Sequence, residues 1–181
     1  MRKTAALTIL FLAVCEIALA QSSFAVRAGR LVDVEGGAIL SNQVILIEGE
    51  RIKAVGASVP LPAGVPVIDL GGATVLPGLI DAHTHLLSNT GDWTLMVTQM
   101  GTVRRALLGA AHGREALDAG LTTVRDLGNS GWNGDVALRD AINAGWVQGP
   151  RMGVSTRALS PVGGQFFRGL TTDRGRREGE P

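Results

Sequence analysis

The rhythm of the sequence changes at Gly72, and that change does most to restrict the fold. Beyond it, strand-like and helix-like stretches alternate: "ATVLPGLIDAH" reads as a strand, residues 94–119 as a helix, "LTTVRDLG" as a second strand, residues 134–144 as a helix and "PRMGVSTRAL" as a third strand. Gly120 and Gly145 stand where glycines that terminate helices are expected. Repeated strand-helix units predict parallel strands joined by crossover helices, an α/β architecture.

Before Gly72 the pattern is all β. Short apolar runs are broken by glycine: "RLVDV", then "NQVILIEGERIKAVGA", then "VPVIDLGG". Residues 44–48 and 51–55 carry β-branched side chains on either side of Glu48-Gly49-Glu50 and predict a hairpin. Pro60, Pro62 and Pro66 space out a loop in which a central strand would be hard to sustain. Residues 21–72 thus form a small β-rich unit, and residues 73–165 carry the strand-helix repeats.

The two ends differ from both. Arg2 and Lys3 precede an apolar run over residues 5–14, and Ala18-Leu19-Ala20 places small residues where a signal peptidase reads them. Residues 1–20 are therefore expected to be a secretory signal, cleaved before Gln21, which directs the chain to the periplasm or the extracellular space. A retained anchor needs about 20 apolar residues, and Glu16 interrupts the run; no stable membrane insertion is expected after cleavage. The single cysteine, Cys15, leaves with the signal, so stability has to come from packing or bound metal rather than disulfides. A net charge of +1 and 4% aromatic residues supply neither the basic field nor the stacking surface of a nucleic-acid binder.

Residues 166–181, "FFRGLTTDRGRREGEP", have no apolar period and carry four arginines. A solvated tail is one reading. A full strand-helix barrel takes about 250 residues, however, and three strands would leave an open edge that invites aggregation. The expectation is a truncated chain, with a frameshift near Phe166 as one cause.

The chemistry concentrates in "VLPGLIDAHTHLL", Val75 to Leu87. On a strand, Leu79, Asp81, His83 and His85 point one way, and Ile80, Ala82, Thr84 and Leu86 the other. Two histidines at i and i+2 have Cα atoms about 7 Å apart, from twice the strand rise, close enough for both rings to reach one ion at about 2.0–2.1 Å. The C-terminal end of a parallel strand is also where barrel enzymes place their chemistry. The alternative is a pair of histidines making structural hydrogen bonds. Asp81 either adds an oxygen or serves as a hydrogen-bonding partner below the pair.

These residues resemble the N-terminal part of the amidohydrolase superfamily of metal-dependent hydrolases. The resemblance runs through "GRLVDV", "VILIEGERIKAVG" and "VIDLGGATV" to "LPGLIDAHTH". "GLTTVRDLG" and "GPRMGVSTRALSPVGG" look like its imidazolonepropionase-like and Xaa-Pro dipeptidase-like branch. It implies a partial (β/α)8 TIM-type barrel, of which this chain holds the first two to three units, preceded by a small β-sandwich-type unit built in the family from both chain ends. It also implies His83 and His85 as ligands of a divalent metal, most often Zn2+, with one or two ions in full-length relatives. Members complete the site with a carboxylated lysine or a glutamate, two further histidines and a catalytic aspartate from the last strand. Here the third of three histidines, His112, lies in the first predicted helix and is expected to be structural, and Lys53 lies in the β-unit.

Further candidates are Asp126 at the end of the second strand, either substrate-facing, capping a loop or pairing with a neighbour such as Arg125, and Arg151 and Arg157 on the third strand, either meeting a substrate carboxylate or solvated. "GNSGWNG" before the second helix offers an anion site at a helix N-terminus or a plain connection. Arg104 and Arg105 are expected on a solvated helix face. The function implied is hydrolysis of C–N bonds in a small amide or dipeptide, through metal-activated water, with residues missing from this chain or supplied by an oligomer. The rival reading is an inactive fragment or a small exported β-rich binding module.

Overall fold

The computed structural model describes residues 22–88, 91, 96, 99–128 and 132–157. The expected signal at residues 1–20 and the polar stretch at 166–181 lie outside the described residues. The chain divides into two compact units between Leu76 and Pro77. No described helix is long and apolar enough to cross a membrane.

The first unit is a four-stranded sheet in the order β3-β2-β1-β4, made of β1 (Ser23–Asp33), β2 (Ala38–Glu48), β3 (Arg51–Gly56) and β4 (Val67–Val75). The β2–β3 hairpin forms where the sequence predicts it, and Gly49 turns it with φ +60°. In the β1–β2 turn, the Asp33 carboxylate accepts the N–H groups of Glu35 and Gly36, an Asx turn that explains an aspartate at that position. β4 returns parallel to β1, with a bulge between Ala28 and Arg30. Gly29 is required there: a Cβ on it would lie 1.9 Å from the Gly71 carbonyl oxygen.

Partners across a ladder share a face, so the register places Val26, Ile45, Val55 and Ile68 in one row, with Phe24, Ile47 and Ile52 in the next. That face is apolar. Ala25 and Leu46 are buried in the row between these two, on the opposite side of the sheet.

The second unit is the start of the expected strand-helix barrel. Its strands β5 (Leu79–Thr84), β6 (Leu121–Asp126) and β7 (Arg151–Val154) form a parallel sheet in that order. Helices α1 (Thr102–Asp118) and α2 (Gly134–Asn143) make the two crossovers. The single strand expected from Ala73 is two: β4 ends at Val75 in the first sheet, and β5 starts at Leu79 in the second. Pro77 lacks the N–H that a continuous ladder needs. At Gly78 a Cβ would meet the Thr122 side chain at 2.1 Å, so the chain can enter the second sheet there only as glycine.

Both helices stop at the expected glycines. Gly145 (φ +73°) donates to the Ile142 carbonyl and Trp146 to that of Ala141, a Schellman closure of α2. Gly120 (φ +91°) bonds Leu117 O in the same manner at the end of α1.

The core of this unit joins Leu86 and Leu87, just beyond β5, to Val124, Leu138 and Met152. Leu87 is fully buried. Around it the helices come close because they present glycine: a Cβ on Gly109 would lie 3.0 Å from Leu87, and one on Gly134 would lie 2.6 Å from it. Leu87 thus occupies the space that two missing side chains leave.

Candidate functional site

β5 delivers His83 and His85 to the C-terminal end of the parallel sheet, and both are exposed. Their ring centroids are 5.3 Å apart in an edge-to-face arrangement. The alternation is not strict at this point. The ladder advances three residues on β5, from Asp81 to Thr84, against two on β6, from Val124 to Asp126, so β5 holds one extra residue. Asp81 fits this local bend, its carboxylate accepting the His83 N–H at 2.9 Å. On the opposite face Leu86 is buried as expected, whereas Ile80 is exposed on the edge strand.

His85 is oriented by its surroundings. Its Nδ1 lies 2.9 Å from the carbonyl oxygen of Gly128, and a carbonyl only accepts. The proton is therefore on Nδ1, and in the neutral ring Nε2 keeps its lone pair. Ligating histidines are commonly held in this way, with the second ring nitrogen donating to a carbonyl or carboxylate.

Asp126 is fully buried at the end of β6. Its Oδ2 accepts the Leu86 N–H at 2.7 Å and its Oδ1 the Gly128 N–H at 3.2 Å. Of the roles open to it in the sequence, the structure shows loop capping. Burial pushes its carboxyl above the ordinary value, the two N–H groups draw it partly back, and nearby Asp135 pushes it up. The Leu86 carbonyl in turn accepts from His112 Nδ1 on α1, 2.8 Å away. Arg105 Nε points to Leu87 O at 3.3 Å. Arg105 is 1% exposed, which corrects the solvated face expected for it; Arg104 is exposed. Burial of Arg105 depends on the turn after β5 folding over α1, a contact that helical periodicity does not reveal.

Arg151 begins β7, paired with Thr123, which is itself level with Ile80. It therefore sits toward the N-terminal end of the sheet, below the histidine pair, and is exposed. Arg157 lies beyond β7, its guanidinium 4.3 Å from the Trp132 ring centroid. Of "GNSGWNG", residues 129–131 lie outside the described residues; Trp132 donates its backbone N–H to Thr102 Oγ1.

The sequence offered Gly128 only as the start of "GNSGWNG", and it gave no role to Asp135. Gly128 has φ +117°, and a glycine two residues past the end of β6 was the available signal. Asp135, fully buried in the first turn of α2, accepts from Val136 N and from Thr156 N at 2.7 Å. It anchors the chain leaving β7, where Thr156 adopts φ +63°.

Among the described residues no group of three or more His, Cys, Asp or Glu side chains could hold a metal ion. His83 and His85 are imidazole donors of the type a zinc site uses, two of the four that a tetrahedral set needs.

A model of the Amidohydrolase family matches residues 74–177, more than half of the 181-residue chain. The chain belongs to the amidohydrolase family. An imidazolonepropionase of Arthrobacter sp. (strain FB24) is 45% identical over 56 residues, 31% of this chain and 14% of that protein. A dihydroorotase of Geobacter sulfurreducens is 43% identical over 61 residues, 34% of this chain and 14% of that protein. Among solved structures, a Xaa-Pro dipeptidase with methionine bound in its active site superposes with a TM-score of 0.73 at 29% identity, covering 84% of this chain and 38% of that one. This amidohydrolase chain thus spans well under half the length of the relatives it matches.

Proposed function

We propose that this amidohydrolase chain is the N-terminal portion of a metal-dependent hydrolase that cleaves C–N bonds in a small amide or dipeptide. His83 and His85 provide two of the ligands to a divalent ion, Zn2+ by preference. The observation that carries this reading is the His85 ring: it donates from Nδ1 to Gly128 O and lies 5.3 Å from the ring of His83. Such an ion, when bound, lowers the pKa of water and polarises a carbonyl. The residues of this chain hold and orient. His83 and His85 present imidazole nitrogens at the strand end, and Asp81 braces the bend between them through the His83 N–H.

The test is a zinc titration of the purified full chain, followed calorimetrically or with Co2+ as a coloured substitute. Stoichiometric binding is expected, and His83→Ala and His85→Ala are each expected to weaken it at least tenfold. Equal affinity in both variants would remove the pair from the metal site. Amide hydrolysis by the chain alone, lost on His83→Ala, would call for ligands from a second copy.

Export is part of the same proposal, supported by the basic, apolar and small-residue succession of residues 1–20. Expression in a bacterial host should yield a mature chain beginning at Gln21 outside the cytoplasm. N-terminal sequencing that returns Met1 from the cytoplasm alone would overturn it.

A further inference from the structure

Three hydrogen bonds form a closed circuit around His85. The Asp126 carboxylate accepts the Leu86 N–H, which belongs to the peptide joining residues 85 and 86, at 2.7 Å. Its other oxygen accepts the Gly128 N–H at 3.2 Å, and the Gly128 carbonyl receives the His85 ring proton at 2.9 Å. One buried side chain therefore grips both the backbone that carries the imidazole and the residue that accepts its proton. His112 holds the next peptide, through the Leu86 carbonyl.

We infer that Asp126 is a positioning residue, which sets the rotation and the Nδ1-protonated tautomer of His85 and so leaves Nε2 free to ligate. The inference rests on the reading of His85 as a ligand, and it goes beyond that reading by giving a residue 41 positions away control over it. A carboxylate suits the task because each oxygen can accept from a separate backbone donor without competing for a proton. Neither Asp126 oxygen is exposed, so the effect would pass through Leu86 and Gly128 rather than by contact with an ion or substrate. Asp135 supplies an internal comparison. It too is fully buried and accepts two backbone N–H groups, but these belong to Val136 and Thr156, outside the circuit.

The experiment uses the full chain, metal-free and labelled with 15N-histidine, at a pH well above the ordinary imidazole value of about 6.5. Ring nitrogen shifts report the tautomer of His85. The wild type should show the Nδ1–H form. Asp126→Asn keeps the shape but turns an amide NH2 toward one of the two donors, so the tautomer should become mixed and zinc affinity should fall about 10–100-fold. Asp135→Asn should lower the melting temperature while leaving the His85 tautomer and zinc affinity unchanged. A wild-type tautomer in Asp126→Asn, or an equal disturbance from Asp135→Asn, would overturn the inference.

Should Asp126→Asn fail to fold, amide exchange in the wild type decides. Leu86 and Gly128 should be protected like the strand amides of β6, and exchange at open-loop rates at both would refute the circuit. A chain that shows the Asp126-dependent tautomer but binds no zinc upholds the positioning role and sinks the metal reading.

Discussion

Leu87→Ala is expected to destabilise the second unit by about 2.7–5 kcal/mol, the range for fully buried leucines that leave a cavity behind. Leu87 has no exposed surface and packs with Leu86, Val124, Leu138 and Met152. Relaxation would ordinarily offset part of the loss, but on two sides the walls are helix backbone at Gly109 and Gly134 rather than flexible side chains. Those backbones are held by α1 and α2 as whole helices, so the cavity should persist. Urea denaturation followed by circular dichroism would show the midpoint falling by about 1–5 M for an m-value of about 1–3 kcal/mol per M. A loss below about 1 kcal/mol would mean that the site collapses and that the helices are not fixed by this contact.

Asp126→Ala should have an effect of similar size from a different cause. It strands the N–H groups of Leu86 and Gly128, both paired with Asp126 in a buried setting. An unsatisfied buried donor costs about 1–3 kcal/mol, so two give about 2–6 kcal/mol together. Removing a carboxylate that burial disfavours in its charged form offsets part of this, which sets the expected net near the lower half of that range. The comparison is Asp81→Ala, where a half-buried carboxylate releases one N–H, that of His83, to solvent. It should cost under about 1 kcal/mol. Equal losses in the two variants would show that the Leu86 and Gly128 donors find water once the carboxylate is gone.

Much of the local structure was legible in the sequence. The β2–β3 hairpin followed from β-branched residues flanking Glu48-Gly49-Glu50, and Gly120 and Gly145 ended the helices where their spacing required. Each depends on the conformational range of a few adjacent residues. The strand-helix alternation was legible for the same reason, since each period is a property of one segment. Less was legible wherever a break and a pairing had to be combined. "ATVLPGLIDAH" reads as one apolar strand, and only the pairing of β4 with β1 and of β5 with β6 shows that its two halves serve different sheets.

The candidate site divides in the same way. That His83 and His85 lie two apart at the end of a parallel strand was settled by the sequence, because strand geometry and the direction of the repeat are local properties. Three features came only with the tertiary structure. They are the extra residue between Asp81 and Thr84, the burial of Arg105 under the turn that follows β5, and the commitment of Asp126 to Leu86 and Gly128. The Asp126–Leu86 bond spans 40 residues and the His85–Gly128 bond 43. Composition and periodicity carry no information on which distant backbone donor meets a given carboxylate. That is decided when α1 and β6 pack against the turn after β5, because a buried N–H must then find an acceptor within the fold.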